Sequence, residues 1–388
     1  MKSKLLLILS WLIFFILSCL IFKVSSKSSA KIFPLTESLP INLSKCNESS
    51  TRNSCTRKLA INDLVQNSFT DILGALEIIQ AKNTPYQFHD YLHFLSMEKY
   101  LKSKNLAEVF IECTPVYFNA CYHGVVIGLL DSLASSPDSL EFKEKMKSAC
   151  DIFIQNNQQG FLEQCIHGVG HAIMIAKNYE LFDSLLLCDE LSIQRSTCYG
   201  GVFMENFPQS SSTDLPSKYL PTESNKLYPC NKLAPNYQEQ CYIFLTIYHN
   251  HVGTGNWTET SKFCQNIPES AQDECFGAIG SSVMPNADNV TSLKDICDVV
   301  EGSNKQKLFC YLGVVSAFDD KFGGQNTALI QSVDFCNTLQ SEYQSYCFER
   351  ASWVFTRWLS EPDHLSACKV IESEENKKIC SQRVKILN

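Results

Sequence analysis

After Phe22 the chain has no second long apolar run, so it offers one candidate membrane segment and no other. No two cysteines are spaced C-x-x-C. Thioredoxin-type redox chemistry and c-type haem attachment therefore lack their signature, and the C-x₂₋₄-C knuckles of thiolate zinc sites are missing too. There is no His-Glu-x-x-His, no Gly-x-Ser-x-Gly, no phosphate loop and no dinucleotide fingerprint. Histidine is scarce, with 8 in 388 residues. No basic stripe interleaves with aromatics. Residues 1–31 hold five lysines and no acid, which leaves 28 basic against 41 acidic side chains in the remainder, a net of −13. That sign disfavours binding to a phosphate backbone, so no nucleic-acid partner is expected.

What is present begins with 18 largely apolar residues, Leu5 to Phe22, preceded by Lys2 and Lys4. This segment predicts a signal anchor tethering the protein to the membrane through residues 5–22. Two alternatives stay open: a signal peptide cleaved near Ser28-Ser29-Ala30, which yields a secreted protein, and lipidation at Cys19. All three place residues 32 onward outside the cytoplasm, on the periplasmic or cell-surface side. Sequons at Asn42, Asn47, Asn256 and Asn289 fit exposed loops. A hydrophobic content of 45% is that of a folding chain.

Setting Cys19 aside leaves 18 cysteines, an even set that in an exported protein predicts a disulfide framework. In order they form nine couples: Cys46 with Cys55, Cys113 with Cys121, Cys150 with Cys165, Cys188 with Cys198, Cys230 with Cys241, Cys264 with Cys275, Cys297 with Cys310, Cys336 with Cys347 and Cys368 with Cys380. Partners lie 8 to 15 positions apart, and from Cys165 the second members recur in steps of 33, 43, 34, 35, 37 and 33. That is the period of a two-helix repeat. The longest step contains the Ser-, Pro- and Thr-rich stretch from Phe207 to Pro229, which reads as a loop inserted between hairpins. In the clearest unit Thr291 caps a helix carrying Cys297, Glu301-Gly302-Ser303-Asn304 breaks it, and a second helix carries Cys310.

The second cysteine is followed by an aromatic or aliphatic residue and then, two places on, a small one: Cys121-Tyr-His-Gly, Cys165-Ile-His-Gly, Cys198-Tyr-Gly-Gly, Cys275-Phe-Gly-Ala, Cys310-Tyr-Leu-Gly. Glycine inside a helix costs about 1 kcal/mol against alanine, so its recurrence points to close approach between helices. The second helices are expected to stack as the inner wall of a curved solenoid. The fold class is thus all-α, an α/α helical-hairpin repeat with one disulfide per repeat. It resembles the tetratricopeptide class in architecture over residues 105–388, without that repeat's diagnostic Trp, Tyr and Pro positions. The resemblance carries over no functional residue. Residues 1–31 are assigned to the signal segment and its linker, 32–104 to an atypical leading helical unit, and 105–388 to the stapled repeats.

Five of the eight histidines fall between His89 and His171. His89 and His93, and His167 and His171, are each spaced i, i+4, which puts both imidazoles of a pair on one helix face. Counted from the second cysteine, His123 and His167 share one position, His171 and Met204 another, and Glu205 follows. A set of His123, His167, His171 and Glu205 fits zinc, iron or copper, with His89 and His93 as a second half. The same imidazoles also suit helix packing or acid–base catalysis. His249, His251 and His364 are weaker candidates, and Asp319-Asp320 reads as solvated loop charge. Two functions follow. One is a scaffold whose concave face, lined by Tyr122, Tyr199, Tyr242, Phe276 and Tyr311, binds a protein or peptide. The other is a metal-binding protein or metal-dependent oxidoreductase.

Overall fold

The computed structural model describes residues 34–46, 51–82, 87–207, 217–250, 256–282, 290–322, 326–358, 365–366 and 368–387. Among them the chain is all-helical, and its only strand-like pairing is an isolated bridge between Thr222 and Asn225. The leading part comprises α1 (34–46), α2 (Arg52–Gln66), α3 (Phe69–Lys82), α4 (Gln87–Ser103) and α5 (Leu106–Glu112). Then come α6 (Val116–Asp131), α7 (Leu140–Ser148), α8 (Asp151–Gln155), α9 (Gln159–Ala176), α10 (Leu181–Cys188) and α11 (Arg195–Asn206). The remainder is α12 (Pro235–Tyr248), α13 (Trp257–Gln265), α14 (Gln272–Ser282), α15 (Val290–Asp298), α16 (Asn304–Phe322), α17 (Asn326–Thr338), α18 (Ser341–Thr356) and α19 (Glu374–Leu387).

Each unit follows from local sequence. In α15 and α16, Cys297 sits in the last turn of the first helix and the break at Gly302 turns the chain. Ser303 then starts the second helix: its Oγ accepts from the Gln306 N–H at 3.3 Å, while Gln306 Oε1 accepts from the Ser303 N–H at 2.9 Å. This reciprocal capping satisfies two backbone donors that a helix start leaves open. The first helix is already formed at Val290, so Thr291 lies inside it rather than at its cap.

All nine cysteine couples are bridged as their spacing predicts. In the leading part Cys46 joins Cys55, and then Cys113 joins Cys121, Cys150 joins Cys165 and Cys188 joins Cys198. Beyond the long insertion Cys230 joins Cys241, Cys264 joins Cys275, Cys297 joins Cys310, Cys336 joins Cys347 and Cys368 joins Cys380. The Cα–Cα separations run from 5.4 Å in the first bridge to 5.9 Å in the fourth. Each bridge closes a loop of about ten residues, worth on the order of 2–3 kcal/mol by the chain-entropy model. Nine bridges in one chain mark an oxidising compartment, extracytoplasmic or secreted. The expected membrane segment, residues 5–22, lies outside the described residues, and no described helix is long and apolar enough to cross a membrane.

The aromatics after the second cysteines turn inward. Tyr122, Tyr199, Tyr242, Phe276 and Tyr311 are all buried, so they form hairpin core and not a concave binding face. Two of them also tie the hairpin polar-wise: Tyr199 donates to Asp189, and Tyr311 donates to Asp298, each acceptor being the residue after the first cysteine of the same couple.

The inner helices α4, α6, α9, α11, α12, α14, α16, α18 and α19 pack one against the next in that order, and α16 in addition packs back against α6. The expected open curve therefore closes into a ring of six inner helices. The seam is fixed a turn further on, where the Gly160 N–H donates to the Arg357 carbonyl at 3.0 Å and Trp358 meets Phe161 edge-on at 4.9 Å. The Arg357 guanidinium, stacked on Trp353, bridges Glu163 on α9 and Asp319 on α16. Asp319 is thereby a buried, ion-paired group and not a solvated loop charge.

The long insertion is only partly described: residues 217–229 run irregularly, and the Asn206 amide donates to the Tyr219 carbonyl at 2.9 Å. Asn42 lies in helix α1 rather than in a loop, and Asn256 caps α13 by accepting from Thr258 at 2.9 Å. Asn47 and Asn289 lie outside the described residues.

Candidate metal centre

Four successive inner helices meet at one place. From α4 come His89 and His93, from α6 His123, from α9 His167 and His171, and from α11 Met204 and Glu205. The i, i+4 spacing of the first pair brings their ring centroids to 4.2 Å, and that of the second pair to 4.9 Å. Glycines let the helices close up enough for rings on neighbouring helices to touch. A Cβ at Gly124, next to His123, would lie 2.2 Å from the His93 carbonyl oxygen. A Cβ at Gly201 would lie 2.0 Å from that of His167.

The result is one cluster of five imidazoles. His123 lies 5.2 Å from His93, 4.9 Å from His167 and 5.2 Å from His171, ring centre to ring centre, and His93 lies 5.1 Å from His171. All are buried except His167, which is half-buried. Within the cluster, His89, His93 and His123 bring one ring nitrogen each to within 4.8 Å of the others.

The hydrogen bonds decide which nitrogen carries a proton. Gln164 Oε1 stands 3.3 Å from His123 Nε2 and draws the proton there, so the Nδ1 lone pair faces His93 Nε2 across 3.1 Å. Two nitrogens on one tetrahedral ion, each about 2.0 Å from it, lie about 3.3 Å apart, close to this spacing. Glu205 Oε1 takes the Nδ1–H of His171 at 2.8 Å while Tyr179 donates to Glu205 Oε2 at 3.3 Å. That leaves His171 Nε2 with its lone pair, buried and without a partner. Neither nitrogen of His89 has a hydrogen-bond partner either. Leaving a buried polar atom unpaired costs roughly 1–3 kcal/mol, so three such atoms in one cluster leave room for an ion or an ordered water.

The electrostatics match. Burial, and secondarily the neighbouring imidazoles, hold His93, His123 and His167 well below the ordinary histidine value, and burial pushes His171 down to about 3. At neutral pH these rings are uncharged, the form that ligates metal. A cavity of about 80 Å³ reaches His93 from the side of Arg57, Met97, Ile127 and Asp131.

Of the residues singled out in the sequence, His89, His93, His123, His167, His171 and Glu205 all meet here. Their division of labour differs from the spacing argument. The tight nitrogen trio includes both leading histidines, whereas Glu205 holds His171 from behind. His249 stands elsewhere, stacked on Phe263 at 4.5 Å, while His251 and His364 lie outside the described residues. Sequence reasoning missed Gln164 and Tyr179. Gln164 adjoins Cys165, so it could have been found by reading the inner helix one residue before the cysteine; Tyr179 follows α9 and carries no signal. No family model matches the chain, and neither a curated protein nor a solved structure matches it.

Proposed function

We propose that this protein is an extracytoplasmic metal-binding protein, tethered through residues 5–22, that holds a zinc, iron or copper ion on His89, His93 and His123. His171 is the fourth donor, oriented by Glu205. The observation that carries this reading is the buried trio of ring nitrogens within 4.8 Å of one another. The unpartnered nitrogens of His89 and His171 beside it add support. Three imidazoles with a carboxylate-backed fourth form a donor set suited to these metals, and the hydrogen bond from His171 to Glu205 is the arrangement that fixes tautomer and ring orientation at metal sites. Reading the chain as a protein- or peptide-binding scaffold is weaker, because its aromatic ladder is buried inside the hairpins.

The test is elemental analysis of residues 32–388, exported through an oxidising compartment and purified without a His tag or chelators. About one equivalent of metal per chain is expected. A His93→Ala/His123→Ala variant that keeps its nine bridges should lose it. Wild-type protein that stays metal-free after incubation with each of the three metals would overturn the reading.

A further inference from the structure

Next to the trio, two more donors face each other. His167 Nε2 and Met204 Sδ are 3.4 Å apart, and both side chains are only half-buried, at the edge of the cluster. With its proton on Nε2, His167 donates a weak hydrogen bond to the sulfur; with its proton on Nδ1, Nε2 turns a lone pair toward a thioether that has no proton to offer, and the two together are donors for an electron-poor ion. A metal ion bound about 2.0 Å from nitrogen and about 2.3 Å from sulfur at a tetrahedral angle has an N···S edge of about 3.5 Å, close to the 3.4 Å observed.

The donors also select the ion. Thioether sulfur is soft, and soft ligands favour Cu(I) over harder divalent ions. Every cysteine from Cys46 to Cys380 is committed to a bridge, so no thiolate is available there and methionine is the soft donor at hand. Both donors are neutral, which suits a monovalent ion in a half-buried position, where a divalent one would keep more uncompensated charge. We infer that His167 and Met204 form a second, soft subsite that binds Cu(I) at the accessible edge of the histidine cluster. The inference rests on the metal-site reading above, since His167 lies 4.9 Å from His123 of the trio, and it names copper as the metal of this second subsite alone.

The experiment uses residues 32–388 with their bridges intact. Cu(I) is titrated anaerobically against bicinchoninate, and the copper-loaded protein is examined by X-ray absorption. Wild type should show sulfur scattering at about 2.3 Å. Met204→Leu, which conserves volume, should abolish the sulfur signal and weaken Cu(I) binding at least about tenfold, leaving zinc stoichiometry at the trio unchanged. Met146→Leu, at a buried methionine on α7, should change neither quantity. If wild type binds Cu(I) without sulfur scattering, or Met204→Leu binds it as tightly, the soft subsite is wrong while the trio stands. If wild type binds neither zinc nor copper, both readings fall.

Discussion

His171 Nδ1 lies 2.8 Å from Glu205 Oε1, with both side chains wholly removed from solvent. An imidazole held this way keeps its proton on Nδ1 and leaves the buried Nε2 with a lone pair for a ligand. Glu205→Gln preserves shape while replacing a charged acceptor by an amide that can turn its NH₂ toward the ring. Metal affinity should fall about tenfold to a hundredfold by competition with a chelator, with little change in the helical circular dichroism. Unchanged affinity would mean that His171 takes no part in holding the ion.

In metal-free protein the histidines make stability depend on pH. Unfolded, each imidazole titrates near 6.5, whereas His93, His123, His167 and His171 in the fold stay neutral well below that, His171 to about 3. As pH falls through 6.5 the unfolded chain takes up protons that the folded chain refuses. The stability is therefore complete above the unfolded value and is lost toward the folded one, at up to roughly 1.4 kcal/mol per pH unit for each group. Urea midpoints of chelator-treated protein should drop between about pH 7 and pH 5. A His93→Ala/His123→Ala/His171→Ala variant should show a shallower drop, and equal slopes would remove the explanation.

Two inner-helix glycines, Gly124 three places after its second cysteine and Gly277 two places after its own, should behave oppositely. At Gly124 an added methyl meets the His93 carbonyl and Ser96 Oγ, both at 2.2 Å, whereas at Gly277 the nearest atom is 3.8 Å away. Gly124→Ala should cost about 1–3 kcal/mol and reduce metal content, because it wedges α4 from α6 where the trio forms. Gly277→Ala should be neutral or stabilising by up to about 1 kcal/mol. Thermal melts of both variants decide it.

Removing one staple should have a local cost. Replacing Cys297 and Cys310 together by serine is expected to destabilise by about 2–3 kcal/mol, with the other eight bridges, among them the flanking Cys264–Cys275 and Cys336–Cys347, intact in a non-reducing peptide map. Scrambling among the remaining cysteines would show instead that this unit guides the pairing of its neighbours.

The bridges were legible because they are local: each couple lies within one hairpin, and spacing alone pairs it. Even Cys230 and Cys241, which follow the irregular insertion, pair as their 11-position separation predicts. The i, i+4 histidines were legible for the same reason. Counting from the second cysteine gave a register for His123, His167, His171 and Glu205, but α4 carries no cysteine, so His89 and His93 could not be placed in that register and their central position was hidden. Whether Glu205 faces an ion or backs a histidine depends on rotamers that spacing does not encode. Closure of the ring depends on Arg357 reaching Glu163, 194 positions away, and no periodicity reports that. The same contact explains the misreading of Asp319, whose burial follows from a partner just beyond α18.

Every bridge starts and ends within its own unit, and the widest, Cys150–Cys165, spans 15 positions. No covalent link other than the backbone joins one hairpin to the next. Under tension between its ends the chain can thus extend by peeling units apart at the seam and then along the row, each remaining tied as a compact bead. When the load is released every bead already has its correct pairing, so recoiling needs no thiol chemistry.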